Sequence, residues 1–373
     1  MKITEVRTIL VSKGSFPWVM VELRTDAGLT GLGEGTLESR PETLAAAIRE
    51  TGRALIGQDP ADIERLFRQL YHPPFWRGGP VLMSAIAALD QALWDINAQA
   101  LGVPVWRLLG GRTRERVRAY ATGVGGPVRS PEELAERVRE TVARGFTAFK
   151  IDPWLMAGGG APPPWPDAAL HRKAVAFVQA AREAAGWDID ILIEYHGWFA
   201  PAKAIEIAHD LAPLRPLFLE EPVPPENLAA LAQVTQATPV PIATGERLHT
   251  KFAVRELLER QAAAVLQSDL SHAGGFTEMR KIAAMAEASY VMMAPHNPYG
   301  PVATMANIHF DTAIPNFLIQ EVLRTDPPWR EELVEPPVLM QDGYFIPPER
   351  PGLGIRLNER VVREHAWVER TTD

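Results

Sequence analysis

The sequence predicts an α/β protein built on a closed barrel of parallel strands, with a smaller α+β unit attached. Two observations predict this. From about residue 117, short apolar runs recur at Phe146–Ile151, Ile189–Glu194, Leu217–Glu220, Pro241–Thr244, Ala263–Ser268, Tyr290–Ala294 and Phe317–Gln320, with helical stretches such as Pro131–Arg144, Ala168–Ala185 and Phe276–Ala288 between some of them. Strand then helix at this spacing defines βαβ units, and so many in succession favour a closed barrel over an open sheet. The two ends of the chain read differently. Strands precede helices at the start, which suits an α+β unit. After about 325 the alternation stops, and Pro351-Gly352-Leu353-Gly354 with a short strand returns the chain to a second unit. The segments are placed at 1–116, 117–325 and 326–373.

In chain order, Ile3 to Val11 and Val19 to Leu23 read as strands, with Asp26-Ala27-Gly28 as a turn. Helices are expected at Pro41–Leu55, Pro60–Leu70 and Val81–Leu101, the last with Leu82, Ile86, Leu89, Leu93 and Ile96 on one stripe. Gly28, Gly31, Gly33 and Gly35 lie in an extended segment at the wrong spacing for a dinucleotide loop. The glycine- and proline-rich stretch Ala157–Pro166 is an irregular loop after a strand, placed on the catalytic face of a barrel.

Composition narrows the function classes. A net charge of −8 with no long Lys or Arg run argues against nucleic-acid or anionic-membrane surfaces. With no cysteine, thiolate catalysis, disulfides and cysteine-ligated metals are all excluded. The start Met1-Lys2-Ile3-Thr4-Glu5-Val6 lacks a signal-peptide apolar core, and no run approaches the roughly 18 apolar residues of a membrane span. A cytoplasmic location is expected.

Reactive groups of parallel barrels sit at the C-terminal ends of the strands. Those ends here are Lys150, Glu194 with His196, Glu220, Glu246, Asp269, His296 and Glu321. From Glu194 to Glu220 and from Glu220 to Glu246 the gap is 26 residues, one strand–helix unit each. Three carboxylates brought together repel unless a hard cation lies between them. Glu194, Glu220 and Glu246 are therefore expected to ligate a metal; all-oxygen ligation favours Mg²⁺, with Mn²⁺ as a substitute. Asp269 could orient His296 as a general base, and His196 could face the same cavity from the other side. Lys150 and Glu321 are candidates for stabilising developing charge. His72, His171, His209, His249, His309 and His365 are read as surface or core residues, and His272 stays undecided. Trp76, Arg77 and Trp198 are candidate substrate contacts.

At these residues the chain resembles the enolase superfamily, mandelate racemase subgroup, and within it the galactonate dehydratase family. The blocks that carry the resemblance are Trp76-Arg77-Gly78-Gly79-Pro80 through Ala88, Asp90 to Ile96, Phe218-Leu219-Glu220-Glu221-Pro222, Gly245-Glu246-Arg247, Asp269 to Gly275, and Ala294-Pro295-His296. The resemblance implies a (β/α)7β TIM-type barrel with an α+β capping domain formed by the N- and C-terminal segments. It implies Mg²⁺ on Glu194, Glu220 and Glu246, proton abstraction α to a carboxylate by His296 with Asp269, protonation of the departing 3-hydroxyl by His196, and a hydrogen bond from Glu321 to the enediolate. The expected function is a sugar-acid dehydratase that yields a 2-keto-3-deoxy acid, acting on a small-molecule sugar acid, without nucleic acid or membrane, as a homo-oligomer. The alternatives are a racemase, epimerase or cycloisomerase working through the same enolate, and a regulatory protein that binds a sugar acid with little turnover. Three positions depart from the pattern. Glu194 stands where these dehydratases carry Asp before x-His, Trp198 where they carry Arg, and Asp152 follows Lys150 where the racemases carry two lysines. Specificity is expected from cap loops near Ser15–Trp18 and Trp76.

Overall fold

The computed structural model describes residues 1–14, 16–72, 75–323 and 327–368; Ser15 and the expected boundary at 325 lie outside the described residues. Three antiparallel strands open the chain: β1 (Ile3–Ser12), β2 (Pro17–Thr25) and β3 (Thr30–Glu34). The middle strand, β2, is buried on both faces, and the two-residue period of a strand sorts its side chains between two cores. Val19, Val21 and Leu23 enter a core shared with the N-terminal helices, while Trp18 and Met20 enter the large core shared with the barrel.

The helices of this unit are α1 (Pro41–Gly52), α2 (Ile63–Tyr71) and α3 (Gly79–Ala100), followed by the short α4 (Val105–Leu108). The expected apolar stripe understates α3. Every residue from Met83 to Ile96 is buried, because the helix is sandwiched between β3 and the helices over the barrel. Leu82, expected on the stripe, is instead 36% exposed. The glycines of β3 have a packing reason: a Cβ on Gly31 or Gly33 would collide with the carbonyl oxygens of Ala92 or Ala88 on α3.

Polar side chains of α3 fasten this sandwich. Gln91 brackets Glu34 like a strand edge, accepting from its N–H at 3.0 Å and donating to its carbonyl at 2.8 Å. Asp95 accepts the N–H groups of Leu32 and Leu353, each at 2.8 Å. Asp90 accepts the Thr277 N–H at 3.0 Å. Burial pushes the Asp90 carboxyl up to about 7, against the hydrogen bonds from Thr277, and pushes Asp95 up to about 6. Both groups hold their protons to higher pH in the folded chain than in the unfolded one. Their contribution to stability is therefore complete below about pH 4 and is lost as pH rises through the folded values. Asp90→Asn keeps the acceptor and removes the titration. It is expected to be more stable than the parent at pH 8 by about 2–4 kcal/mol and nearly equal at about pH 4. Denaturant midpoints at the two pH values check this; an equal gap at both would remove Asp90 as the cause.

The barrel comprises eight parallel strands: β4 (Val117–Thr122), β5 (Ala148–Ile151), β6 (Asp190–Glu194), β7 (Phe218–Glu220), β8 (Ile242–Thr244), β9 (Val265–Leu266), β10 (Met292–Met293) and β11 (Gln320–Leu323). Neighbours pair in chain order, Met293 bridges to Phe317 ahead of β11, and β11 pairs with β4 to close the ring. Seven helices connect the strands, namely α5 (Pro131–Ala143), α7 (Ala168–Ala185), α8 (Pro201–Leu211), α9 (Leu228–Ala237), α10 (Thr250–Glu259), α12 (Gly275–Ala288) and α13 (Pro301–Ala313). Short α6 (Pro153–Gly158) and α11 (Leu270–Ala273) precede α7 and α12. This is the expected (β/α)7β order.

One inward residue per strand, Tyr120, Ala148, Leu192, Phe218, Ala243, Val265, Ala294 and Ile319, forms a single buried layer across the barrel. Two residues further along a strand the side chain again points inward. That arithmetic aims Lys150, Glu194, Glu220, His296 and Glu321 into the barrel mouth.

The C-terminal segment forms short strands β12 (Val334–Glu335), β13 (Met340–Gln341), β14 (Tyr344–Phe345) and β15 (Arg356–Leu357), then α14 (Glu359–Glu364). It returns to β1 through the Val11–Ala366 bridge and the Ser12 N–H to His365 carbonyl bond at 2.8 Å. Among the described residues no helix is long and apolar enough to cross a membrane.

Candidate active site

A cavity of about 810 Å³ opens at the C-terminal ends of the strands, lined by Lys150, Glu194, His196, Glu246, His296 and Glu321, with Leu37, Glu38 and Pro80 contributed by the N-terminal unit. Glu220 and Asp269 lie beneath its surface, fully buried. The structure thus brings together all eight strand-end residues expected to carry chemistry.

Lys150 is the hub. Its Nζ lies 2.7 Å from Glu220 Oε1, 3.0 Å from Glu194 Oε2 and 3.1 Å from Glu321 Oε1. Burial opposes its charge, but Glu220, Glu321 and Glu194 hold the ammonium well above its usual range. Glu194 and Glu220 face each other directly across the β6–β7 pairing. Like charges that close cannot both stay ionised at ordinary cost. Glu220, the deeper, is pushed well up by burial and by Glu194. Glu194 ends up at about 2: burial works against its charge, but Lys150 and His196 favour it, and its Oε1 accepts the N–H groups of Tyr195 and His196 at 3.0 and 2.8 Å.

Two imidazole–carboxylate pairs flank this cluster. His296 Nδ1 is 2.7 Å from Asp269 Oδ2, and the other Asp269 oxygen accepts the Ser271 N–H at 2.6 Å. Held this way, His296 points Nε2 at the acids, 3.4 Å from Glu246 and 4.0 Å from Glu321. Burial disfavours its charged form, but Glu246 and Asp269 together raise it well above the usual imidazole range. On the other wall His196 Nδ1 is 2.7 Å from Asp152 Oδ2. Asp152 is itself fixed as the N-cap of α6, its Oδ1 accepting from Trp154 and Leu155. Against burial, Glu194 and Asp152 raise His196 to about 9.

Asp152 is the functional residue that sequence reasoning passed over. The available signal was a carboxylate two residues past Lys150 and directly before a proline. Arg247 is the second omission. It lines the cavity while its Nε donates to Glu221 at 3.1 Å, and a Cβ on Gly197 would press on its guanidinium. A cation therefore stands beside Gly197 even though the next residue is Trp198. His272 resolves as a buried support, bonded to Ser84 and Tyr299 at 2.7 and 2.8 Å. His249, read as surface or core, lines the cavity instead.

Three expected substrate contacts are not among the cavity-lining residues. Trp76 is 83% exposed, and Arg77 sits over the Tyr71 ring. Trp198 packs against the His196 ring at 5.0 Å. The Ala157–Pro166 loop likewise leaves the cavity: its wall is made by Leu155 and Met156 just before, while Trp165 and Pro166 line a separate groove.

The donor set fits a cation. Glu194, Glu220 and Glu321 crowd around a single ammonium, Glu246 stands 3.4 Å from His296 Nε2, and the buried Glu220 Oε2 has no hydrogen-bond partner. Oxygen-only donors of this kind suit hard divalent ions.

Carboxylate-paired imidazoles beside clustered acids, in the mouth of a capped barrel, are an arrangement suited to acid–base chemistry. Residues 3–110 match the mandelate racemase / muconate lactonizing enzyme N-terminal domain, and residues 133–361 match the enolase C-terminal domain-like family. The chain belongs to the enolase superfamily, whose members use a divalent metal. It is 40% identical to D-galactonate dehydratases of Pectobacterium atrosepticum, over 98% of this chain and 94% of that one, and of Klebsiella pneumoniae, with the same coverage. A mandelate racemase/muconate lactonizing enzyme from Jannaschia sp. CCS1 superposes with a TM-score of 0.91 at 36% identity, covering 99% of both chains. An enolase-superfamily member from Salmonella Typhimurium does so at 0.93 and 30%, covering 97% and 98%.

Proposed function

We propose that this protein is a metal-dependent hydro-lyase that dehydrates a sugar acid, with D-galactonate the first substrate to test. The observation that carries this reading is the pair of oriented imidazoles, His296–Asp269 and His196–Asp152, on opposite sides of one acid cluster. Dehydration needs one proton removed and another delivered, and each dyad is built for one of those transfers.

Glu194, Glu220 and Glu246 would hold the cation, Mg²⁺ with Mn²⁺ as a substitute. The cation supplies Lewis acidity toward the substrate carboxylate, lowering by several kcal/mol the barrier to losing a weakly acidic α-proton. Once a cation held by Glu246 offsets the carboxylate charge that keeps the ring protonated, His296 would accept that proton at Nε2, with Asp269 fixing the ring through Nδ1. Lys150, an ammonium 3.1 Å from Glu321, neutralises charge that builds on the carboxylate end, and its N–H groups are available to the same oxygen. His196, held by Asp152, gives a proton to the leaving 3-hydroxyl, so the product is a 2-keto-3-deoxy acid. Arg247 is positioned to bind a hydroxyl or a second carboxylate of the substrate.

The test is a panel of aldonic and aldaric acids incubated with the Mg²⁺-loaded protein and assayed for 2-keto product. Turnover of at least one acid is expected. If the folded protein converts none, the dehydratase reading fails; deuterium uptake at C2 with the hydroxyl retained would make it an epimerase.

A further inference from the structure

Away from the barrel mouth, a second set of metal-ligating side chains lies on the outer helix layer. Glu206 and Asp210 stand four residues apart on α8, hence on one face, and His171 meets them from the first turn of α7. Each offers one ligand atom, and the three atoms lie within 4.8 Å of one another. His171 Nε2 is 3.0 Å from Asp210 Oδ2, and Nδ1 is 3.6 Å from Glu206 Oε1. The imidazole is 8% exposed while the carboxylates are 52% and 54% exposed, so a buried ring meets two solvent-edge carboxylates, one against each nitrogen. A groove of about 470 Å³ leads to them.

The buried Nε2 makes no hydrogen bond despite its closeness to Asp210. A neutral imidazole has one N–H, so it can donate to only one of two flanking carboxylates; the other nitrogen turns a bare lone pair toward an anion. Charging the ring would remove the conflict, but burial and the Lys203 ammonium hold it below its usual range. Lys203 Nζ, 2.7 Å from Glu206 Oε1, partners that carboxylate, while the 3.0 Å Asp210–Nε2 contact lacks hydrogen-bond geometry in either tautomer. A cation bound by Nε2 would make lone pair and carboxylate co-ligands.

We propose that His171, Glu206 and Asp210 form a second cation site, separate from the barrel acids and suited to a borderline divalent metal such as Zn²⁺. One imidazole nitrogen with two carboxylate oxygens matches Zn²⁺ or Co²⁺, whereas the all-oxygen barrel set matches Mg²⁺. Three protein ligands leave a fourth position for water. The bound metal would tie α7 to α8 directly against α6, since the His171 ring packs on Trp154 with centroids 6.0 Å apart.

Zn²⁺ titrated into the full-length protein in excess Mg²⁺, followed by calorimetry and metal analysis, tests the site. The parent should bind Zn²⁺ at a site that survives Glu220→Gln. Asp210→Asn and Glu206→Gln, both at solvent-exposed positions, should weaken that binding at least tenfold and lose the Zn²⁺-induced rise in Tm. Neither should change Mg²⁺-dependent turnover. Undiminished Zn²⁺ binding by Asp210→Asn would overturn the proposal, as would a single Zn²⁺ equivalent that disappears in Glu220→Gln.

Discussion

Glu220→Gln is expected to lower divalent-cation affinity by more than the ~10–100-fold that follows loss of a mere supporting hydrogen bond, and to abolish turnover. The same change should leave the metal-free protein as stable as before, or more so. Glu220 is fully buried, its carboxyl is forced up by burial and by Glu194, and one of its oxygens has no partner. Those features are a cost to the empty fold and an advantage only when a cation is bound. An amide keeps the Oε1 acceptor for Lys150 while removing the repulsion. The discriminating measurement is Tm with and without Mg²⁺. At a concentration 100 times Kd the parent should gain about 2.7 kcal/mol, and the variant should gain almost nothing. A variant destabilised without metal, yet still stabilised normally by Mg²⁺, would make Glu220 a structural acid and remove it from the ligand set.

The barrel was legible because its signal is periodic and repeated. Apolar runs at one-unit spacing mark β5 to β11, and their last polar residues fall at the mouth whatever the helices between them do. The first barrel strand, Val117–Thr122, was missed because Arg118 interrupts it; that side chain reaches out to Asp190 at 2.8 Å instead of breaking the strand. Helix α3 was placed correctly but read as one-sided. A stripe of apolar residues cannot reveal that Asp90, Gln91 and Asp95 on the remaining faces are also buried, because their partners are backbone groups far away in sequence.

The site was legible wherever a residue projects from a strand end, and illegible where it depends on a loop. Strand register carries Lys150, Glu194, Glu220, His296 and Glu321 inward by counting alone. Asp152 could not be counted in the same way. Its role depends on the turn into α6, which aims one oxygen at two backbone N–H groups and the other at His196. Trp76 and Arg77 lie in a block that resembles the family, but their side chains follow a loop conformation that no spacing encodes.

The two dyads should separate into two kinetic phenotypes. His296→Asn is expected to abolish both solvent exchange at the substrate α-carbon and dehydration, by about 10²–10⁴-fold, with metal affinity intact. The asparagine amide can still donate to Asp269, so the cavity keeps its shape while the base is gone. His196→Asn should behave differently. Its partner dyad still removes the α-proton, so deuterium should enter the recovered substrate while 2-keto acid fails to accumulate. Asp152→Asn should shift the enzyme the same way but less, because it misorients the acid instead of deleting it. Both effects are read together by NMR of one substrate in D₂O, which follows exchange and elimination in a single sample. Continued exchange in His296→Asn would move the base to His196. Equal loss of exchange in both histidine variants would show that the imidazoles act as one unit, and a two-step division between His296 as base and His196 as acid could not stand.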